Sequence, residues 1–591
     1  MSSVDSHLVP LLEPSSRADA EPEPEPKYES RKLAWLKLSA SIVAAVGLMI
    51  GGIVLSRLKN KVAGSATVHS IIPLGNLITF HMGPVFTLAA TIITEIIGSV
   101  HATALRSTLI NERRLSPNAK YRLGFNTNSR LFVASNEGGW TNPNGQLMNA
   151  LMALLLVISY AASALIVTPI QIFEGPDYNT IENRKATSGL AAPPIIIFGL
   201  SLFLQGIISL FGTYHCGPYW LDSTDLVFTT KQQIDNHTIV PRPHRCMRNV
   251  LQGKSTTYPL TTPDPHSIPD SLKPLARQPS AWNANPTAKK AAITLWSLIP
   301  VYAVWGAIVY ALSVYVSTGV SKSGHIKSVG IGSAKPSDFS WAFVPNINTL
   351  SFGVAFMTTH PLEEASLPSM AWPSILLVFM AIQSGLTLTL HYCEVIINTT
   401  RDECVWRRAV GDKGVSTVQQ GLLRGIIVKA LGSWRGVFLL VTKYFCHWLF
   451  AQSFQITGVF AQPAEVLAES HFTGMEVIAH CAQVWYLSAL LIGFATITTL
   501  IAIYKPRGPQ PAAYGHFQTL ADLIDEWPPV KSALDDKSPS VLYWGHKSGL
   551  DKDGICHAGT SDRRLPPVKM DYMYGGELDP KWPSTAKKES V

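Results

Sequence analysis

Residues 477–504 read VIAHCAQVWYLSALLIGFATITTLIAIY, and this stretch decides the fold. None of its residues is Asp, Glu, Lys or Arg. A helix needs about 20 mostly apolar residues to cross the hydrocarbon core of a bilayer, so the stretch predicts a membrane span. Eight such apolar stretches are predicted to be spans, at residues 36–56, 82–105, 147–168, 193–213, 291–317, 374–397, 437–460 and 477–504.

The composition of the whole chain agrees with a membrane protein. Charged residues make up 15% of the chain, against about 25% in soluble domains. We therefore predict an all-α polytopic bundle whose membrane domain covers residues 36–504. Residues 1–35, with an alternating Glu-Pro run, are predicted to be a disordered tail. The Pro-rich loop 214–290 is expected to be extended or weakly ordered. In the C-tail, 505–591, residues 514–527 predict a short amphipathic helix.

The distribution of Lys and Arg predicts how the chain sits in the membrane. The eight spans leave nine polar segments; the odd-numbered ones, with Lys37 counted in the first, hold 39 basic residues and the even-numbered ones hold 8. Cytoplasmic loops collect Lys and Arg, so both termini are predicted to be cytoplasmic, in the plasma membrane or an endomembrane. The expected partners of this basic surface are the bilayer and its anionic lipids rather than nucleic acid.

Two weaker apolar stretches, 67–80 and 340–357, test the count of eight. Both are short and contain Pro and Asn. One additional crossing would invert every later segment and destroy the charge alternation. We therefore predict that each stretch is re-entrant or part of a small cap on the outer face.

Several short motifs resemble one family. The tail contains YGHFQTLADLIDEW at 514–527, YWGHK at 543–547, HAGTS at 557–561 and LPPVKM at 565–570, and an interior loop reads YRLGFNTNSR at 121–130. In this order they resemble uncharacterised multi-pass membrane proteins of filamentous fungi. The motifs cover about a tenth of the chain. The resemblance implies a fungal membrane protein, and it implies no activity and no functional residue.

Ionisable residues inside the predicted spans mark the candidate site. Charges in hydrocarbon are costly and usually have a purpose. The topology places six such residues in the cytoplasmic half of the membrane. We predict a polar cavity between the second, sixth and seventh spans, with Glu95 paired to Lys443. The six candidate residues are Glu95, His101, His391, Glu394, Lys443 and His447.

Two other interpretations of these residues remain open. In the first, Lys443 and Glu394 extend to the lipid headgroups and the histidines bond backbone carbonyls. In the second, His391, Glu394, His447 and His101 bind Zn²⁺ or iron, because His and a carboxylate three residues apart can reach one ion. No repeated motif supports the metal, so no metal or cofactor is predicted.

The functional prediction follows from what the chain lacks. Phosphate-binding loops, HExxH helices, GxSxG elbows and paired CxxC motifs do not occur. The first hypothesis is therefore a non-enzymatic structural, sensory or partner-binding membrane protein. The second is a secondary transporter or channel built around Glu95, and the third is a membrane-embedded enzyme. Internal repeats would favour a transporter, but the sequence shows no convincing repetition between its halves.

Overall fold

The computed structural model describes most of the chain, and long helices dominate it. The described residues are 27–57, 71–74, 76–112, 114, 124–127, 130–174, 184–216, 220, 226–254, 271–319, 339–345, 349–357, 370–416, 433–462, 471–527, 541–548 and 555–576. The helices are α1 (Lys27–Arg57), α2 (Asn76–Asn111), α3 (Gln146–Leu165), α4 (Ala192–His215), α5 (Leu226–Asp235), α6 (Val250–Lys254), α7 (Ala281–Ala284), α8 (Pro286–Gly319), α9 (Ala371–Tyr392), α10 (Glu394–Arg407), α11 (Trp434–Ser453), α12 (Cys481–Ile503) and α13 (Phe517–Leu523).

Seven of the described helices are long and apolar enough to cross a membrane. They are α1, α2, α3, α4, α8, α9 with its continuation α10, and α12. Helix α11 has the length, 20 residues, but is less apolar because it carries Arg435, Lys443 and His447. It nevertheless packs inside the bundle, against α2, α3 and α12. Among the described residues, eight long helices therefore form the bundle, and each overlaps one of the eight apolar stretches.

A six-stranded sheet lies at one end of the bundle, so the prediction of an all-α fold is correct only for the bundle. Its strands come from the connections α1–α2, α3–α4, α8–α9 and α11–α12, in the order β1-β3-β2-β6-β7-β4. All pairs are antiparallel except β2 with β6. The strands are β1 (Ile71–Leu74), β2 (Val167–Glu174), β3 (Arg184–Ala191), β4 (Ser351–Met357), β6 (Phe454–Gln462) and β7 (His471–His480).

The sheet corrects several predicted boundaries. Residues 454–460 and 477–480 were assigned to spans but are strands, since α11 ends at Ser453 and α12 begins at Cys481. Short apolar runs do not distinguish a helix end from a buried strand. Of the weak stretches 67–80 and 340–357, residues 71–74 form β1 and residues 351–357 form β4, while residues 76–80 are the first residues of α2.

The remaining connections and the tail form a second folded unit at the opposite end. Strand β5 (Val415–Ser416), after α10, pairs with β8 (Val541–Ser548), which pairs with β9 (His557–Ser561). Phe125 bridges to His516, and Leu272 to Tyr574. The described parts of four segments thus meet in what we call the tail assembly: 124–127; 226–254 with 271–285; 408–416; and 505–527 with 541–548 and 555–576. Four of the five polar segments rich in Lys and Arg contribute to this assembly, and the four segments poor in them contribute strands to the sheet.

Two predictions about the polar segments change here. Much of 226–254 and 271–285 is buried and carries α5, α6 and α7, so the described part of loop 214–290 is folded rather than weakly ordered. Helix α1 begins at Lys27, inside the segment predicted to be disordered; residues 1–26 lie outside the described part. The predicted tail helix is present as α13, with Leu520 and Leu523 buried.

A compact group of charges stabilises the tail assembly. Lys547 has no exposed surface, and its Nζ lies 2.9 Å from Asp525 Oδ2 and 3.0 Å from Glu526 Oε1. His557 Nε2 lies 3.0 Å from the same Asp525 oxygen, while the Thr560 backbone N–H donates to Asp525 Oδ1 at 2.6 Å. Asp525 therefore joins β8, β9 and the end of the tail helix.

The resemblance depends on the loop 121–130 and the tail, and the described residues of these two segments contact each other. The backbone N–H of Asn126 donates to Gly515 O at 2.7 Å, and that of Phe517 donates to Gly124 O at 3.0 Å. Between them lies Asp402 of α10, whose Oδ2 accepts from Asn126 Nδ2 at 2.9 Å. The tail thus holds the loop that connects α2 to α3.

The bundle consists of two halves with the same order of elements, although the sequence showed no repeat. The first half reads α1, β1, α2, α3, β2, β3, α4, and the second reads α8, β4, α9–α10, α11, β6, β7, α12. Helices α3 and α11 both have 20 residues, and each leads almost directly into its hairpin. Ala191, the residue before α4, pairs with Ile71, the first residue of β1. In the same way His480, the residue before α12, pairs with Ser351, the first residue of β4.

Helix packing follows the same correspondence. Helix α1 packs on α4 as α8 packs on α12, and across the halves α3 packs on α9 while α2 packs on α11. The halves meet in the sheet at β2 and β6, equivalent strands that pair in parallel, with Ile170 opposite Gly458. A two-fold axis along the strands would relate equivalent strands in this way. The protein is therefore built as two structural repeats.

Candidate functional site

Lys443 is the centre of a charged cluster at mid-depth in the bundle. It is fully buried, and by helical rise it lies about 14 Å from either end of α11. Its Nζ donates to Glu95 Oε1 and to Glu394 Oε1, both at 2.5 Å, and lies 3.2 Å from His391 Nδ1. The structure thus brings together four of the six candidate residues and pairs Glu95 with Lys443.

The four residues come from both halves of the bundle. Glu95 lies on α2 of the first half, and Lys443 lies on α11 of the second, against which α2 packs. His391 and Glu394 flank Cys393, the one-residue break between α9 and α10. Their spacing of three residues puts both side chains on one face, and His391 Nδ1 lies 2.7 Å from Glu394 Oε1. The cluster is therefore an interface between the repeats.

Arg130 is a fifth member, which sequence reasoning missed. Its Nη2 lies 3.0 Å from His391 Nδ1 and 3.6 Å from Glu394 Oε1. The residue belongs to the loop 121–130, where an arginine looks like ordinary surface charge. Here its side chain turns into the bundle and is buried. His391 Nδ1 thus faces two donors, Lys443 and Arg130, and one acceptor, Glu394, so either tautomer of the ring finds a partner.

Gly98 makes room for this arginine. A methyl group on Gly98 would overlap the Arg130 guanidinium, whose Nη2 would lie 2.6 Å away. We predict that Gly98→Ala displaces Arg130 from Glu394 while leaving α2 helical, because alanine favours helix by about 1 kcal/mol over glycine. Thermal unfolding should show less stability for Gly98→Ala than for Gly493→Ala, whose added Cβ meets nothing within 4 Å. Equal stability of the two variants would contradict this role for Gly98.

The other two candidate residues lie outside the cluster. His447 is one turn from Lys443; its ring stacks on Tyr160 at 3.6 Å between centroids, and its Nδ1 lies 3.1 Å from Gln383 Nε2. Tyr160 in turn bonds Thr94 at 3.0 Å. His101 lies further along α2, where its Nε2 is 3.5 Å from Asn149 Oδ1. Both histidines are buried polar groups held by neighbouring side chains.

The charges of the cluster balance. Two carboxylates, Glu95 and Glu394, face two cationic groups, Lys443 and Arg130. Lys443 and His391 have no exposed side-chain surface, whereas the side chains of Glu95 and Glu394 keep 29% and 19% exposure. Buried ions are stable only when paired and hydrogen-bonded. The carboxylates are therefore the members of the cluster that an incoming group can reach.

The structure changes the predicted metal set. Glu95, His391 and Glu394 place three ligand atoms within 4.8 Å of one another, whereas His101 and His447 bond other side chains. The Lys443 ammonium lies among these three atoms and contacts each of them. As described, the cluster coordinates its own cation.

Comparisons with known proteins assign no family or function to this chain. The chain matches no protein-family model, no curated protein and no solved structure. The resemblance to fungal membrane proteins therefore stays a prediction, and the function has to be argued from the site.

Proposed function

We propose that the protein is a secondary transporter that carries a small solute between its two structural repeats. The observation that supports this proposal is that the cluster's ion pairs join the halves, with Glu95 on one side and Lys443 with Glu394 on the other. Transporters built from repeats commonly bind their substrates near mid-membrane, at the interface of the repeats. The second hypothesis from the sequence thereby becomes the preferred one.

The free-energy cost of burying the charged cluster supports a functional role. Each buried ion carries a desolvation penalty of several kcal/mol, and apolar residues of similar volume would pack the same space without it. Charges retained inside spans usually mark ion or substrate pathways. Ion pairs that cross a mobile interface can break and form again as the halves move. Paired charges within one half would not respond to such a movement.

We further propose eight spans, with the tail assembly in the cytoplasm. Four connections supply the six-stranded sheet, and the other three join the tail assembly, so each long helix would lead from one unit to the other. The tail assembly contains the segments rich in Lys and Arg, which favours the cytoplasmic side. The sheet would then face the opposite side of the membrane.

Cysteine labelling tests this orientation. Cys404 is exposed, whereas the other six cysteines are buried. We predict that a membrane-impermeant maleimide modifies Cys404 in inside-out vesicles and not in intact protoplasts. A cysteine introduced at Val354, a 52% exposed residue of β4, should show the reverse pattern in a Cys404→Ser background. Labelling of both positions from one side would contradict the eight-span topology.

Transport itself is tested by flux. The purified protein in proteoliposomes is screened with ions and metabolites whose levels change in a deletion strain. We expect Glu95→Gln and Glu394→Gln each to reduce uptake at least about tenfold, since each removes one charge of a buried set worth several kcal/mol. Arg564→Ala, which breaks the surface pair with Asp412, serves as the matched control. Unchanged flux in both glutamine variants would contradict the proposal.

A structural or sensory role is the second candidate, and the tail assembly is the observation that favours it. Four separate segments fold there into one unit with its own apolar core, which includes Val415, Leu520 and Trp544. Such a unit offers a large surface to a cytoplasmic partner. If deleting residues 505–591 abolishes the cellular phenotype while Glu95→Gln leaves it intact, this second candidate is the better one.

A further inference from the structure

Arg130 covers the charged cluster on the side that faces the tail assembly. Helix α2 runs from the sheet toward the tail assembly, so Gly98 lies one turn, about 4.5 Å, nearer to that assembly than Glu95 does. The Arg130 guanidinium packs against Gly98, and its Nη2 lies 3.0 Å from His391 Nδ1. Arg130 is only 7% exposed. A solute that approaches from the tail assembly therefore meets this arginine before it meets the cluster.

The loop that carries Arg130 is held in place by the tail. Phe125 and His516 form an antiparallel bridge, and their rings meet edge to face with 5.1 Å between the centroids. The backbone N–H of Asn126 donates to Gly515 O at 2.7 Å. Arg130 follows Asn126 by only four residues, which span at most about 14 Å when fully extended. The position of the tail therefore limits where the Arg130 side chain can go.

The same stretch of the tail holds helix α10, which carries the cluster's second carboxylate. Oε2 of Glu403 accepts hydrogen bonds from the backbone N–H groups of Ala513 and Tyr514, at 2.9 and 2.8 Å. The next residue toward the cluster, Asp402, accepts from Asn126 Nδ2 at 2.9 Å. Loop, tail and α10 are thus joined at one place. One movement of the tail would act on the arginine and on the helix of its carboxylate partner together.

The backbone of this stretch of the tail is strained. Tyr514 and Gly515 both have positive φ angles, 49° and 73°. A left-handed conformation is unfavourable for a non-glycine residue such as Tyr514, and it persists only where its surroundings enforce it. Here the Glu403 carboxylate holds the Tyr514 N–H, and a Cβ at Gly515 would lie 2.8 Å from Asp402 Oδ2. Such strain relaxes when the contacts break, which is typical of a switch.

Building on the transporter function proposed above, we propose that tail residues 513–517 are a latch that keeps Arg130 in the cluster, and that release of the latch opens the cluster toward the tail assembly. In the latched state Glu394 faces two cations, Lys443 and Arg130. Release withdraws Arg130 and frees one side of Glu394 for a hydrogen-bond donor of the solute. The cluster without Arg130 has one excess negative charge, so the latched state is the stable one until a solute arrives. The tail assembly is thereby the regulatory unit of the transporter.

Chemical modification of arginine tests the latch without knowledge of the solute. Phenylglyoxal, which reacts with accessible guanidinium groups, is added to the full-length protein in lipid nanodiscs, and peptide mass spectrometry reports the modification of each arginine. Two arginines of the tail assembly are internal references: Arg564, with a 70% exposed side chain, and Arg245, which is 7% exposed like Arg130. We expect rapid modification of Arg564 and protection of Arg130 and Arg245 in the wild type.

Two conservative variants weaken the latch from the side of α10. Asp402→Asn removes the charge that accepts the loop's side-chain amide, and Glu403→Gln removes the charge that holds two backbone N–H groups of the tail. Each should raise the modification of Arg130 at least about tenfold, the usual scale for a hydrogen bond to a charged group. Arg245 should stay protected in both. Unchanged modification of Arg130 in both variants would overturn the proposal.

A control variant separates the latch from the stability of the tail assembly as a whole. Asp522 of α13 pairs with Arg242 at 2.5 Å, outside residues 513–517. Asp522→Asn therefore weakens the tail assembly without touching the latch, and it should leave Arg130 protected. Equal modification of Arg130 in this control and in the latch variants would also overturn the proposal.

A disulfide across the bridge tests the opposite direction. Phe125 and His516 are bridge partners without a hydrogen bond to each other, so their Cα atoms lie about 4.5 Å apart, within the range of a disulfide. Phe125→Cys with His516→Cys is made in the Cys404→Ser background, in which the six other cysteines are buried. The oxidised protein should protect Arg130 even with Glu403→Gln, and uptake in the flux screen should stop until dithiothreitol is added. Uptake that ignores the disulfide would overturn the latch.

The two proposals fail in different ways. Modification of Arg130 that follows the latch, in a protein that moves no solute, would overturn the transporter and leave the latch as the switch of a sensor. Glu95-dependent flux with Arg130 equally protected in all variants would overturn the latch and leave the transporter standing.

Discussion

Replacing Lys443 with methionine will lower the stability of the membrane domain by about 3–5 kcal/mol, the usual cost of removing one partner from a buried ion pair. Glu95 and Glu394 both accept a hydrogen bond from the same Nζ, at 2.5 Å. Without it, two carboxylates face each other across the interface between the repeats, and only Arg130 remains to balance them. Thermal unfolding in nanodiscs, followed by tryptophan fluorescence, measures the loss.

A double variant is the control for this result. Lys443→Met with Glu95→Gln returns the charge of the cluster to zero, with Glu394 facing Arg130. We expect the double variant to be more stable than Lys443→Met alone, although it carries more substitutions. Stabilities that simply add would show that the two side chains do not interact.

Raising the pH toward about 10 will destabilise the tail assembly. Burial by itself lowers the pKa of His557, but the hydrogen bonds and charges of Asp525 and Cys246 together outweigh it and raise the pKa to about 10. A raised pKa stabilises the fold fully below the unfolded value near 6.5, and this stabilisation is lost as the pH rises through the folded value. The loss lies between pH 6.5 and about 10 and amounts to several kcal/mol. Hydrogen exchange of the amides in β8 and β9 measures it.

Asp525 and His557 should behave as one unit in this experiment. The hydrogen bond from His557 and the charge of Lys547 overcome the effect of burial and hold the pKa of Asp525 well below its usual range. His557→Gln should therefore remove most of the dependence on pH between about 6.5 and 10, and Asp525→Asn should remove it as well. His237→Gln, a change at an exposed residue, should leave it unchanged. A wild-type pH profile in His557→Gln would contradict this assignment.

The sequence located most of the cluster because charges inside apolar stretches are rare enough to stand out. Glu95, His391, Glu394 and Lys443 were found in this way, and the helical spacing of His391 and Glu394 placed them on one face. Arg130 was missed because its position depends on a loop that the tail holds through Gly515 and Phe517. Gly98 is a small residue one turn from Glu95. Its role could not be predicted, because it depends on the Arg130 side chain that packs against it in the folded protein.

The sheet and the repeat were harder to predict, and for a different reason. Hydrophobicity alone cannot separate the strand FQITGVF at 454–460 from the helix that precedes it, because apolar residues remain frequent on both sides of the boundary at Ser453. The correspondence between the halves lies in the order of helices and strands and in the pairing of Ile71 and Ser351 with equivalent partners. Apolar side chains replace one another freely in such elements, so the repeat survives in the structure after it has faded from the sequence.

The parallel pairing of β2 with β6 also has a consequence for biogenesis. Strand β2 is synthesised with the first half, but its partner β6 follows only after α8, α9, α10 and α11. Until then one edge of the β1-β3-β2 sheet has open backbone donors and acceptors, an edge that invites pairing with other chains. Completing the sheet closes a contact between residues as far apart as Ile170 and Gly458, which is slow in folding. The first half is therefore the part of the nascent chain that most needs protection while the second is being made.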